Sequence, residues 1–343
     1  MGHLSIRLLK EDDYPCSASH YSMPVSPFSG LHHVTAICSN AQRTIDFYTD
    51  ILGLRLTKLT VNFDDPYSYH LYFTDDRGNP GTTLTFFVWP DAGPGQAGIG
   101  QTMLVGFSVP QRSLAFWTER LVHKGVKHEN VFKRFEESVL RFRDPDGMLV
   151  ELCAHPKDDP RAGWTGGGVA PEHSIRGLHH VTLLEDGYED TAKLLTDTIG
   201  FRTAGQNGSI HRFETGYGGP GTYVDIHVAP DFLKGRLGTG TIHHIALRVP
   251  DDATENEYRS RIIAESLNPT PVIDRNYFHS VYFHEPGGVL LEIATDVPGF
   301  MVDQTYEKLG SEFTVPPWYE ERKKEIQSVL PPVRIPPFPR QST

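Results

Sequence analysis

The chain has 343 residues, enough for about two domains of ordinary size, each burying its own core. Its 32 basic and 43 acidic residues leave a formal charge of −11, which argues against nucleic-acid binding and against association with an anionic membrane surface. Cys16, Cys38 and Cys153 are too few and too scattered for a disulfide framework, and no apolar run approaches the roughly 18 residues of a membrane span.

Residues 1–29 form an N-terminal extension. Its start, MGHLSIRLLKEDDYPCS, places acidic residues straight after a short apolar stretch, unlike a secretory signal, so a cytoplasmic protein is expected. At Gly30 the run GLHHVTAI begins, an apolar strand carrying a His-His pair. Asn40 is a good helix N-cap; Ile45, Tyr48 and Ile51–Leu52 then make one helical face, and Gly53 ends it. Strands separated by Gly/Pro turns follow. A second unit starts at Thr102, with a helix over 113–124 and Gly125 as its stop. The turn-rich segment 155–176 reads as a linker between the two-module regions 30–154 and 177–296. A third unit opens on GLHHVTLL at Gly177, with a helix over 189–198 and Gly200 as its stop. A fourth opens on TIHHIALRV at Thr241, with a helix over 255–266. Residues 297–343 are a Pro-punctuated tail with a short helix expected over 319–327, packing over the sheets or a neighbouring subunit.

The two regions are copies. A shift of 147 lays Asp50–Arg55 on Asp197–Arg202 and His33 on His180, and a shift of 141 lays Asp144–Glu151 on Glu285–Glu292. Each region divides again, so the chain predicts an α+β fold of four β-α-β-β-β modules.

Three His-His pairs at matching places in a repeat point to metal. Alternate strand residues face the same way, so one imidazole of each pair is directed inward at the start of an apolar strand. A single such histidine is more simply a hydrogen-bonded core residue. The second His of each opening strand gives His33, Leu104, His180 and His244 in the four modules. Counting six residues from the turn proline to the last strand gives Phe86, Glu151, Ile226 and Glu292. A carboxylate ending a run such as VLLE is costly to bury unless something pairs with it, so Glu292 is read as a ligand and Glu151 as an ion-pair partner. However the modules pair, just one site collects two imidazoles and a carboxylate. It contains His244 and Glu292, with His33 or His180 as the third donor. Two histidines and one carboxylate, with Phe86 or Ile226 in the fourth place, are the donor set of a non-haem Fe(II) centre that leaves positions open for substrate and dioxygen. Three-ligand zinc hydrolysis uses the same residue types.

These features resemble the vicinal oxygen chelate superfamily, whose modules pair into metal-bearing barrels. From Leu31 to about Pro332 the chain is similar to the hydroquinone-type ring-cleaving dioxygenases. The stretches that carry the resemblance are LHHVTAI, VNFDDPYSYHLYFTDDRGNPGTTLTFF, RGLHHVTL, IHHIALRVP, DRNYFHSVYFHEPGGVLLEIATDVPGF and LGSEFTVPPWYEERKKEIQSVLPP. The resemblance implies that the first module pairs with the fourth, that His33, His244 and Glu292 bind Fe(II) with Mn(II) as a substitute ion, and that His32, Thr35, His243, Arg275 and Tyr282 surround the metal. His180 departs from the pattern, which typically has Ser there.

The implied reaction is ring cleavage of a hydroquinone or related phenol with both atoms of O2 entering the product. His243 would be the acid/base group by its ordinary pKa. Arg275 would stabilise anionic oxygen, or merely pair with Asp274 or another carboxylate, and Tyr282 would hydrogen-bond substrate or oxygen. The partners expected are a small aromatic substrate and O2, with self-association into a homo-oligomer. Two other readings use the same modules: a metal-dependent isomerase or thiol transferase of the glyoxalase kind, against which the missing fourth ligand weighs, and a drug-sequestering resistance protein, which needs no metal.

Overall fold

A computed structural model describes residues 28–337 apart from position 158. Most of the N-terminal extension, Cys16, and the last residues of the tail lie outside the described residues.

Each module has the expected β-α-β-β-β order. The first runs β1 (Leu31–Cys38), α1 (Ala41–Asp46), β2 (Arg55–Asn62), β3 (Asp65–Thr74), β4 (Thr83–Val88). The second runs β5 (Gln101–Val109), α2 (Leu114–His123), β6 (Phe132–Arg134), β7 (Glu137–Arg143), β8 (Leu149–Ala154). The third runs β9 (Gly177–Glu185), α3 (Glu189–Lys193), β10 (Arg202–Asn207), β11 (Ile210–Glu214), β12 (Tyr223–Val228). The fourth runs β13 (Ile242–Val249), α4 (Asp252–Ala264), β14 (Ile273–Asp274), β15 (Phe278–His284), β16 (Leu290–Pro298). Asn40 caps α1 as expected, its Oδ1 accepting from Arg43 N at 2.9 Å. In both odd modules the helix loosens into a π-helical turn, Phe47–Ile51 and Leu194–Ile199, so the duplication extends to this irregularity. The α4 helix begins earlier than expected, because Asp251 after Pro250 caps Thr254 N at 2.9 Å and the first turn, Asp252 to Glu255, carries no apolar stripe. In the tail, a 3-10 turn over Pro317–Arg322 precedes α5 (Lys323–Val329).

The strands form two curled eight-stranded sheets, ordered β14-β15-β16-β13-β1-β4-β3-β2 and β10-β11-β12-β9-β5-β8-β7-β6. The first sheet joins modules one and four; the second joins modules two and three. Antiparallel seams, β1 on β13 and β5 on β9, lie at their centres. Along β1 the alternation sorts the residues: Val34, Ala36 and Cys38 enter the core under the helices, while His33 and Thr35 line a cavity on the other face.

The 155–176 segment lacks regular structure but is packed. Arg161 donates to Gly81 O (2.9 Å) and Leu178 O (2.7 Å), tying a turn of module one to the start of β9, and Trp117 Nε1 donates to His173 O at 3.0 Å. The tail lies on the first sheet: Phe313 bridges Leu59, Tyr319 OH donates to Phe63 O at 3.0 Å, and Tyr69 OH donates to Pro331 O at 2.9 Å. Buried Lys58 reaches Asp303 and Gln304 of the same tail. Cys38 and Cys153 are buried free thiols.

One polar contact is buried where modules three and four meet. The Thr191 hydroxyl faces a carboxyl oxygen of Glu185 and one of Glu285. Its single hydrogen cannot serve both, so one carboxyl keeps its proton. Burial, then the Glu285 charge, pushes Glu185 up to about 8. A raised carboxyl pKa gives stability that is full below the ordinary carboxylate range and is lost as pH climbs toward 8. Melting temperature should therefore fall between pH 5 and pH 8, and Glu185→Gln should flatten that decline. An unchanged slope in the variant would show that the pair is not the source.

Candidate metal centre and its cavity

The three donors selected from the sequence come from three strands of the first sheet. His33 is the third residue of β1. His244 is the third residue of β13, paired across the seam with Thr35, two residues along from His33, and Glu292 is the third residue of β16, beside Ala246. His33 Nε2 lies 3.4 Å from His244 Nε2 and 3.2 Å from Glu292 Oε2, and His244 Nε2 is 2.9 Å from the same Oε2. All three side chains are buried. His180 is not among them; it lies in the second sheet.

The neighbouring side chains determine where the hydrogens sit. His33 Nδ1 is 2.9 Å from His32 Nδ1, and His244 Nδ1 is 2.8 Å from His243 Nδ1. With the hydrogen of each contact on the inner ring, at His33 Nδ1 and His244 Nδ1, the Nε2 of both residues presents a lone pair. Ser280 donates to Glu292 Oε1, while Oε2 has no hydrogen-bond partner. Burial lowers His32 and His244, favouring neutral imidazoles. Three lone pairs thus converge with no hydrogen among them, and each ligand has an outer partner orienting it, as in protein metal sites. The donor set fits a divalent ion with open coordination positions.

The fourth place differs from expectation. In the ladders, His244 plus two is Ala246, opposite Glu292; His33 plus two is Thr35, opposite Thr85. Thr85, not Phe86, is therefore the counterpart of Glu292, and Phe86 packs in the core against Tyr48 and Phe73. By the same register Asp225, not Ile226, faces Thr182 in module three. The odd modules have one residue fewer between turn proline and site, and one residue reverses the face. The fourth position still offers no imidazole or carboxylate, because Thr85 is a hydroxyl already engaged by its neighbours.

The equivalent place in the second sheet is filled. Arg134 contacts both oxygens of Glu151 and lies 2.8 Å from His180 Nε2, and Arg141 also pairs with Glu151. Asp225 is held by Arg212 at 2.7 and 2.9 Å. A guanidinium occupies the position a metal would take. Cys153, His179 and His180 also approach one another there, beside that cation.

The centre opens into a cavity of about 310 Å³ walled by Phe63, Tyr72, Phe87, Trp89 and Phe278. His243, Arg275, Tyr282 and Thr35 reach it. Arg275 pairs with Asp64 at 2.9 Å rather than with Asp274, whose carboxylate instead accepts from Asn276 N. Its Nε donates to Tyr282 OH at 3.2 Å. Although burial opposes it, Tyr282 and Asp64 hold the Arg275 charge firmly in place, and burial, then Glu292, keeps the Tyr282 phenol protonated. Burial and His244 bring His243 down to about 3, so it is neutral. Its Nδ1 faces His244 Nδ1 at 2.8 Å, and the ring borders the cavity. His70, absent from the expected set, also lines the cavity. Its signal was available: a histidine in the aromatic run YSYHLYF of β3.

A model of the Glyoxalase/Bleomycin resistance protein/Dioxygenase superfamily matches residues 30–152. A candidate ring-cleaving dioxygenase of Bacillus subtilis, MhqO, is 40% identical over 306 residues, covering 89% of this chain and 97% of that protein. The chain belongs to this superfamily. Within the superfamily, the chlorohydroquinone/hydroquinone 1,2-dioxygenase of Sphingobium indicum is 34% identical over 305 residues, covering 87% of this chain and 94% of that one. The crystal structure of a candidate dioxygenase from Bacillus subtilis superposes with a TM-score of 0.86 at 40% identity, covering 90% of this chain and 98% of the other.

Loading with Fe(II) under anaerobic conditions should give about one iron per chain. His33→Ala, His244→Ala and Glu292→Ala should each abolish tight binding, while Ser280→Ala, which frees Oε1 and loosens the carboxylate, should weaken it by roughly 10–100-fold. His180→Ala should retain full iron content. Elemental analysis after desalting reads all five, and loss of iron in His180→Ala with retention in His33→Ala would overturn the assignment.

Proposed function

We propose that the protein is a ring-cleaving dioxygenase that uses Fe(II), held by His33, His244 and Glu292, to open a hydroquinone or related phenol, with both atoms of O2 entering the product. The observation that carries this reading is the convergence of three buried lone-pair donors on an aromatic-walled cavity that also contains a fixed cation. Iron, when bound, supplies neighbouring positions for a phenolate and for dioxygen and the electronic coupling between them.

The protein's own groups prepare the substrate. A cavity of about 310 Å³ suits one substituted ring, given that benzene fills a cavity of roughly 150 Å³. The aromatic walls select a flat apolar body, and the relatives named for ring cleavage and for hydroquinone point to the same substrate class. Arg275 lies against the cavity with a permanent charge and a planar fork, favouring the ionised phenol over the neutral one. Tyr282 and Asp64 hold it there, so little reorganisation is needed when negative charge develops. His243 Nε2–H and Arg275 together supply donors for anionic oxygen. The apolar lining, Phe63 and Phe278 included, lowers the local dielectric, which strengthens each of these interactions.

An oxygen electrode should record uptake when Fe(II)-loaded protein meets hydroquinone, with loss of the aromatic absorbance and entry of both labelled oxygen atoms into the product. Arg275→Ala should keep its iron yet lose about a hundredfold in turnover, and Arg275→Lys should recover only part. Normal turnover by Arg275→Ala with a lower melting temperature would assign Arg275 to the Asp64 ion pair alone.

A further inference from the structure

We propose that His70 is a positioning residue: it sets the direction of a buried hydrogen-bond chain, Tyr72–His70–Thr85–Thr35, so that the Thr35 hydroxyl donates its hydrogen to an anionic oxygen of the substrate. The proposal rests on a phenolic substrate as argued above, and it assigns work to three residues outside the metal ligands and their immediate partners.

The chain is continuous. Tyr72 OH lies 2.9 Å from His70 Nδ1, His70 Nε2 lies 2.8 Å from Thr85 Oγ1, and Thr85 Oγ1 donates to Thr35 Oγ1 at 2.9 Å. All four side chains are buried. Thr35 follows His33 by two residues on β1 and stands opposite His244 across the seam, so its hydroxyl borders the metal centre and the cavity.

Counting hydrogens gives the direction. Thr85 has one hydroxyl hydrogen, and it goes to Thr35. Its oxygen must then receive from His70, which places the imidazole hydrogen on Nε2. His70 Nδ1 is left as an acceptor, and the Tyr72 hydroxyl fills it. The hydrogen on Thr35 is the one member of the chain with no acceptor among the described residues. In the opposite tautomer the whole chain would reverse, with His70 Nδ1 donating to Tyr72, Thr35 donating to Thr85 and the free hydrogen on the Tyr72 phenol; the Thr85-to-Thr35 bond selects the first direction. Burial holds His70 neutral and the Tyr72 phenol protonated, so both ends keep these roles. The chain orients a donor and transfers no proton. It also accounts for Thr85 at the place Glu292 holds in module four: a carboxylate there would be an acceptor and would reverse the chain.

A double-mutant cycle tests this on Fe(II)-loaded protein. The readouts are anaerobic hydroquinone affinity by calorimetry, iron content, and turnover in air. Thr35→Val and His70→Phe should each weaken anaerobic binding by about tenfold, the scale of one hydrogen bond to a charged group. The double variant should be no weaker than Thr35→Val, because His70 acts only through Thr35. His70→Gln, which keeps an N–H toward Thr85, should recover most of the loss. Tyr72→Phe, which deletes one oxygen and retains the ring, should cost about threefold by releasing the tautomer, a fraction of one hydrogen bond. Iron content should remain that of the parent throughout. Multiplying effects in the double variant, or parental affinity in His70→Phe when Thr35→Val is weakened, would overturn the proposal. If the parent binds hydroquinone without consuming oxygen, the dioxygenase reading fails while the binding cycle still decides the chain; a parent that does not bind it at all overturns both.

Discussion

Three lone pairs forced together by β-sheet register are the constraint on which this molecule is built. His33, His244 and Glu292 belong to strands that must pair for the first sheet to exist, and pairing brings their bare atoms within 3.4 Å of one another. Such a cluster is unfavourable in a dry interior without positive charge. His32, His243 and Ser280 do not relieve it. They consume the other polar atoms of the ligands, so the remaining lone pairs have no direction but inward. Much of the polar interior of this sheet follows from keeping that cluster oriented and leaving its cation accessible from one side.

The second sheet solves the same problem with protein alone. Its His-His pair is tied Nδ1 to Nδ1 at 3.1 Å, as in the first sheet, and its Glu151 sits where Glu292 does. The cation is Arg134. In the repeat that aligns Glu151 with Glu292, Arg134 falls on Arg275, and the residue after each has left-handed backbone, Phe135 at φ 51° and Asn276 at φ 62°. The same arginine is thus used twice. Arg134 turns in to Glu151 and His180, whereas Arg275 is held at the cavity wall by Asp64 and Tyr282. Arg141 stands at the counterpart of Tyr282 and adds a second cation to Glu151. The choice between a filled centre and an open one comes down to what restrains a single guanidinium.

The modular plan was legible because duplication writes each element twice, with helix stops such as Gly53 and Gly200 in equivalent places. His33, His244 and Glu292 were legible because imidazoles and carboxylates are conspicuous in apolar strands. Module pairing was not available from periodicity, since hydrogen bonding between distant strands leaves no local pattern; only the family resemblance indicated it. Counting from a turn proline put Phe86 and Ile226 where register puts Thr85 and Asp225, because loop length sets strand phase and a loop can shorten by one residue unseen. Which carboxylate pairs with Arg275 was left open for a similar reason: Asp274 is adjacent in sequence, but Asp64 arrives from another module. His70 was passed over because its significance lies in Thr85 and Tyr72, one on another strand and the other two residues away.

The exchange of modules between the two sheets also orders events during synthesis. Module one leaves the ribosome first, yet its central partner strand β13 is encoded about two hundred residues later. Modules two and three are consecutive and can close their seam while module four is still being made. During that interval β1 offers an unpaired apolar edge, the kind of surface that invites aggregation or pairing with another chain. A nascent chain that has emerged only as far as Thr241 would hold a finished second sheet beside an orphaned half, with His33 in place and no carboxylate to complete its centre.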